Sequence, residues 1–451
     1  MTILSHTKRL TLAAALLGST AAAGIAEDVT ITVWSGGTGD SANYRIDNIK
    51  LAAEQLSREA AIRGDELNIT IEGQGWSGWD EFKQAVTLAA ESGDAPDIIV
   101  SGHEDLGPWS QAGILRPVED WVYLDQWPLN DIYPNLIDVA TYNGVVWGIP
   151  QDAEARVMYW NRGALEAIGW SDADIEALPQ RVIDGDYTLY NMLDDLAAMQ
   201  EADAVAPGQG FMPRPSNGPD YWQFYQSFGG EMLDAETGKL LLDTEALTGF
   251  YQFFVDAVAR GVVPESYLGA NWDDWHRAVS GLTAGAWHGG SWHYAQWTRS
   301  FEMENFFDNV QFTLIPAGDE NGRANSITHP LVYLMGAGNT EDEAQIAADL
   351  ISIASEPRLN AMHAVKSGHL AISEAEVSVP LYAEDRWLSE ASEGFLPYVN
   401  AIPNDADFGT YWTAMYKGLE NAWTGTMSVE EAVETVKADV TSALGDKIIV
   451  K

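Results

Sequence analysis

Trp34, Trp76, Trp79, Trp109, Trp147, Trp222, Trp272, Trp275, Trp287, Trp292 and Trp412 stand beside Gly, Pro, Asp or Asn rather than in helical stripes. Each taken singly reads as core packing, but as a set they suit a polar ligand with apolar faces. A pyranose has that character, because its C–H face stacks on an aromatic ring while its hydroxyls need buried donors and acceptors. Asp40, Glu104, Asp105, Glu154, Arg156, Asp220 and Asn271 lie near these aromatics and supply such partners. A hydroxyl left unpaired in such a cleft costs about 1 to 3 kcal/mol, which gives specificity.

Other chemistries find less support. Gly73-Gln74-Gly75-Trp76-Ser77-Gly78 matches the dinucleotide fingerprint between a strand and a helix. The fingerprint needs an acid at the end of the next strand, whereas Asp97 begins it, and Trp76 crowds the close approach. These glycines are read as turning the backbone at a sheet edge. No Walker loop, G-x-S-x-G elbow or H-E-x-x-H occurs. His288 and His293 are poorly spaced for helical metal ligation, so neither a metal nor a cofactor is expected. With 67 acids, carboxylate pairs for glycoside hydrolysis arise at almost any spacing and carry no signal.

Composition narrows the classes further. The 451 residues include 24 Lys+Arg against 67 Asp+Glu, a formal net charge of −43, which excludes nucleic-acid binding because that rests on phosphate neutralisation. With no Cys there is no disulfide, thiolate metal site or lipidated cysteine. Such acidity suits a saline habitat, or serves solubility. Lys8 and Arg9, the apolar run Leu10 to Leu17 and the small residues ending at Gly24-Ile25-Ala26 form a secretory signal over residues 1–26. Cleaved export to a periplasm is expected, as a non-lipidated protein and a monomer.

The elements that must position these residues follow from periodicity. Val29 to Trp34, Leu67 to Ile71 and Asp97 to Val100 read as strands, each followed by a glycine-containing loop and then, for the first two, by an amphipathic helix. That order predicts an α/β fold with a parallel sheet, and it puts Trp34 to Asp40, Trp76 to Trp79 and Ser101 to Asp105 along the rim at the strands' carboxyl ends. Beyond about residue 150 the chain turns helical and aromatic, with strands at Gln311 to Ile315 and Leu331 to Met335. Ser428 and Glu431 predict a capped helix to Leu444.

Three stretches together resemble the extracellular solute-binding proteins of carbohydrate ABC importers, the maltose-binding-protein-like family. They are Ala89 to Val100 continuing to Leu115, Tyr142-Asn143-Gly144-Val145-Val146-Trp147-Gly148-Ile149-Pro150 through Asn161, and Ser280-Gly281-Leu282-Thr283-Ala284-Gly285-Ala286-Trp287 to Trp292. The resemblance implies a two-lobe periplasmic binding protein fold with a hinge and an interlobe cleft. It implies crossings near Asp152, Ile327 and Ile372, hence lobes of residues 27–152 with 327–372 and 153–326 with 373–451. Ligand would favour the closed form, which a membrane permease reads, and no bond is broken. The residues and the resemblance together nominate Trp34, Gly37, Thr38, Gly39, Asp40, Trp76, Ser101, His103, Glu104, Asp105, Glu154, Arg156, Asp220, Tyr221, Trp222, Trp272, Trp287, Gly290, Ser291, Trp292, His329 and Trp412 as ligand contacts. Gly39-Asp40 and Glu104-Asp105 stand where maltose-binding protein carries basic residues, which argues against a maltodextrin. The expected ligand is a carbohydrate or polyol. The alternatives are an exported glycoside-active enzyme and a receptor for a quaternary ammonium solute.

Overall fold

The computed structural model describes residues 27–37 and 41–451. The signal segment and the expected contacts Thr38, Gly39 and Asp40 lie outside the described residues. The first sheet runs in the order Leu67–Trp76, Glu27–Gly36, Ile98–Gly102, Leu331–Gly336, Leu115–Arg116, with Gly148–Pro150 also paired to Leu331–Gly336. Ile98–Gly102 and Leu331–Gly336 are buried at every position, as expected of central strands covered on both faces. The helix Ser41–Arg63 lays Ile46, Ile49, Ala52, Ala53 and Leu56 against the sheet.

Two expectations are corrected here. The sheet is mixed rather than parallel, because Leu331–Gly336 returns antiparallel to Ile98–Gly102 and pairs antiparallel with the two short strands. The glycines from Gly73 to Gly75 do not turn the chain. They continue the strand Leu67–Trp76, in register with Val33 to Ser35. Their smallness serves packing: a Cβ on Gly73 would stand 2.3 Å from Ile46 Cγ2, and one on Gly75 would stand 2.7 Å from Asn43 Oδ1. The helix therefore sits closer to this edge than any side chain would allow.

The second sheet has the order Val310–Thr313, Arg156–Asn161, Ala286–Gly290, Phe211–Met212, the first three strands antiparallel. The chain passes from the first sheet to the second between Gly148–Pro150 and Arg156–Asn161 and returns through Ser326–Thr328 to Leu331–Gly336. A third passage begins where Leu370 bridges Ala153 and Ser373 bridges Ile132. Ser326–Thr328 in turn pairs with Val399–Ala401. The C-terminal helix Val429–Leu444 carries the expected capping box, Ser428 and Glu431 each satisfying the other's backbone N–H. None of the described helices is long and apolar enough to cross a membrane.

Candidate functional site

At the carboxyl edge of the first sheet, strand register brings two indoles together. Gly36 lies opposite Trp76, and the Trp34 and Trp76 rings are 5.8 Å apart at 54°. Trp79, at the start of the next helix, packs over Gly36, where a Cβ would stand 2.4 Å from its ring. Trp34, Trp76 and Trp79 are all half-buried, and Trp76 Nε1 is buried without a hydrogen-bond partner. Gly37 is enclosed beside Arg45 and Ala42.

The third strand delivers Ser101, and the turn His103–Asp105 follows it. Ser101 Oγ donates to Asp105 Oδ2 (2.5 Å), while Lys83 Nζ donates to Glu104 Oε1 (2.6 Å) and lies 2.8 Å from Asp105 Oδ1. His329 Nε2 meets Glu104 Oε2 at 2.5 Å. Burial alone would raise Glu104, but His329 and Lys83 outweigh it and hold the carboxyl well below its usual range. Asp105 is pushed up to about 6 by burial and by Glu104. Burial opposes the charge on His329, yet the carboxylate of Glu104 raises its pKa above that of a free imidazole. His103 is fully buried, with its ring nitrogens 3.3 Å from Pro330 O and 3.0 Å from Ile402 O, and burial lowers it to about 4.

Across the first crossing a second charged group forms at the start of Arg156–Asn161. Arg156 contacts both Glu154 and Asp220, and Arg214 Nε adds a contact to Asp220 at 3.1 Å. The guanidinium of Arg156 lies 4.3 Å from the Trp292 ring centroid, and that of Arg214 lies 4.7 Å from Trp272 and 5.7 Å from Trp292. His369 stacks parallel to Trp292 at 5.8 Å and reaches Glu154 Oε1 at 3.4 Å. Burial would raise Asp220 and Glu154, but Arg214 and Arg156 hold Asp220 down, and Arg156 with His369 does the same for Glu154. The two groups meet at His329, whose ring feels Glu154 and Arg156 as well as Glu104.

Charge in this region is matched. Lys83 and His329 face Glu104 and Asp105, and Arg156 and Arg214 face Glu154 and Asp220. What stays partly exposed here is the Trp34–Trp76–Trp79 rim, while Arg214 Nη1 is buried without a hydrogen-bond partner.

Other expected contacts are placed differently. Trp287 and Tyr221 are both wholly buried, Trp287 stacking on Tyr159 at 5.9 Å and Tyr221 donating its hydroxyl to Arg214 O. Trp222 is 3% exposed and Trp412 is 6% exposed, the latter donating to Asn217 Oδ1. Gly290 leaves room for Trp292, whose ring would be 2.0 Å from a Cβ there, and Ser291 Oγ accepts from Ala155 N. Asn271 caps the helix Trp272–Ser280 with its side chain.

Sequence reasoning missed Lys83, Arg214, Arg45, Asp152 and His369. Arg45 donates to Gln151 Oε1 (2.9 Å) and Asp152 Oδ2 (3.0 Å), and Asp152 Oδ1 accepts from Leu331 N, so one carboxylate ties the helix Ser41–Arg63 to two crossings. Two groupings, His103–Glu104–His329 and Asp152–His363–His369, bring donor atoms within 4.8 Å. In each the protein already supplies a cation, Lys83 in the first and Arg45 in the second, which disfavours a metal ion there. His288 and His293 are spent on Gln223 and on Gly290 N.

Two sheets joined by several crossings, with charged and aromatic side chains converging where the crossings begin, define the class of two-lobe binding proteins with an interlobe cleft. The solved structures agree: maltose-bound MalE3 of T. maritima superposes with a TM-score of 0.73 at 18% identity, covering 92% of this chain and 99% of that one. A Thermotoga lettingae ABC-transporter solute-binding protein bound with α-D-tagatose gives 0.71 at 17% identity, with 92% and 100% covered. The family model for bacterial extracellular solute-binding proteins matches residues 60–386, and this chain belongs to that family. A maltotriose-binding protein of Pyrococcus abyssi is 22% identical over 175 residues, a match spanning 39% of this chain and 34% of that relative.

Proposed function

We propose that this chain is the exported receptor of an ABC importer and takes a neutral carbohydrate or polyol in its interlobe cleft. The observation that carries the reading is the pairwise matching of Lys83, His329, Arg156 and Arg214 with Glu104, Asp105, Glu154 and Asp220 beside a half-buried indole rim. A charged guest would upset that balance in a desolvated site, whereas a hydroxyl-rich neutral guest accepts and donates without doing so. Arg156 occupies a face of Trp292, so we assign stacking to Trp34 and Trp76 and hydrogen bonding to the side of Arg156 and Arg214.

The lobes we propose are residues 27–152 with 327–372 and residues 153–326 with 373–451, a division supported by sheet membership. Residues 1–26 are proposed as the cleaved signal, and the mature protein as a periplasmic monomer whose closed form a permease recognises. Neither a glycosidase nor an ammonium receptor is favoured by the matched charges.

A thermal-shift and calorimetric panel of neutral sugars, polyols, sugar acids and betaines tests the reading, since a bound guest stabilises by mass action. Saturable binding of a neutral sugar or polyol without turnover is expected. A response to choline or betaine alone, or hydrolysis of a chromogenic glycoside, would overturn it.

A further inference from the structure

A cavity of about 440 Å³ lies at the crossings; none of the nominated contacts lines it, although Ala153 and Thr328 in its wall adjoin Glu154 and His329. Ala153 and Thr328, from the first and second crossings, form its floor. Successive side chains in an extended segment point to opposite faces, so Ala153 faces this cavity while Glu154 turns away to Arg156. The volume falls within the range of small-molecule sites.

The lining has a definite chemistry. Leu136, Val377, Leu396 and Val399 make it apolar, and no Lys, Arg or His lines it. Glu374 and Glu393 stand at its exposed edge, and among the described residues neither carboxylate is held in an ion pair. Tyr133, also in the lining, has its phenol pushed up to about 12 by burial and, to a lesser degree, by Glu374, Glu376 and Asp131.

We propose that this cavity is a second ligand site, separate from the cleft, for a small organic cation whose alkyl or aryl body rests on the apolar walls with its ammonium between Glu374 and Glu393. Leu136 precedes the first crossing and Leu396 follows the third, so a guest touches chain on either side of the hinge. It does not depend on which solute the cleft takes.

Isothermal titration in high salt, where diffuse attraction to the acidic surface is screened, tests the proposal with cyclohexylammonium chloride as probe and cyclohexanol as its neutral match. Saturable one-to-one binding of the ammonium is expected, at least about tenfold tighter than the alcohol. E374Q/E393Q should weaken the ammonium at least about tenfold with the unfolding midpoint kept, and V377W should fill the cavity and abolish binding. Absence of saturable heat, equal binding of the alcohol, or ammonium binding unchanged in both variants would overturn it. The last result would put the cation in the cleft or on the general acidic surface.

Discussion

Glu104 Oε2 and His329 Nε2 stand 2.5 Å apart, joining the loop after the third strand to the second crossing. The His329 imidazole is raised above its ordinary value of 6.5, so its contribution is complete below that pH and is lost as pH rises through the raised value. Glu104 is held below the ordinary carboxyl value of 4.5, so its contribution is complete above that pH and is lost on further acidification. The contact is therefore strongest between pH 4.5 and 6.5. H329Q should cost roughly 1 kcal/mol in that window, given the partial exposure of both groups, and less as pH rises above it. Urea unfolding of both proteins across pH checks this. A cost independent of pH would reject the charged pair.

Glu376 behaves in the opposite sense. It is wholly buried, accepts from Ile372 N and Asn360 Nδ2 at 2.9 Å, and is pushed up to about 8 by burial. An acid raised from 4.5 to about 8 holds its proton in the folded state after the unfolded chain has released it, so stability falls as pH rises across that interval. E376Q should flatten this fall, matching the parent near pH 4.5 and exceeding its stability above pH 8. Identical slopes for the two proteins would show that Glu376 titrates normally.

Among the described residues, Asp220 is the only carboxylate paired with both Arg156 and Arg214, and its side chain is 4% exposed. D220A leaves two guanidiniums facing each other with half their compensation gone, a loss of about 3 to 5 kcal/mol for a buried pair broken on one side. Adding R214M should recover part of that loss, because the two changes act on one network. Chemical denaturation of the single and double variants measures the coupling. Strict additivity would mean that Asp220 and Arg214 do not act together.

The indoles separate into two kinds with different expected phenotypes. W34A and W76A remove half-buried rings and should weaken the bound solute by roughly tenfold or more while largely preserving the fold. W287A removes a fully buried ring stacked on Tyr159 and should cost about 3 to 5 kcal/mol of stability. Calorimetric affinity and unfolding midpoints on the same three variants decide the matter. Unchanged affinity in W34A and W76A would remove the first lobe's stacking role.

Much of the frame was legible because it rests on local signals. The hydrophobic runs around Val33, Ile99 and Leu334 became strands, and Ser428 with Glu431 marked a helix start. Gly73 to Gly75 misled because a glycine that admits a turn and one that admits a neighbouring helix look alike until Ile46 is placed. In the candidate site, acids beside aromatics pointed to Glu104, Glu154 and Asp220, but their cations come from distant segments: Lys83 from a helix and Arg214 from a Pro-Arg-Pro loop. With only 24 Lys+Arg against 67 acids, each cation next to a loop or a tryptophan was a usable signal. Trp287 shows the reverse error, since a glycine neighbour suggested a loop where a central strand lies.

The acidic surplus supplies the final prediction. A formal charge of −43 places many carboxylates on the surface without basic partners, and their mutual repulsion opposes the compact state more than it opposes the expanded one. Simple salt screens charges separated by more than the Debye length, about 10 Å at 0.1 M and about 3 Å at 1 M, and so should relieve this repulsion. The buried contacts of Arg45 with Asp152 and of Arg156 with Asp220 are screened far less, so little is lost in exchange. The unfolding midpoint should therefore climb steeply with sodium chloride from low ionic strength and continue to rise toward molar salt. Replacing a set of exposed acids such as Glu66, Glu91, Asp94 and Glu430 by their amides should raise the low-salt midpoint and shrink the salt response together. If thermal melts in low and high salt coincide, the acidity serves solubility rather than a saline setting.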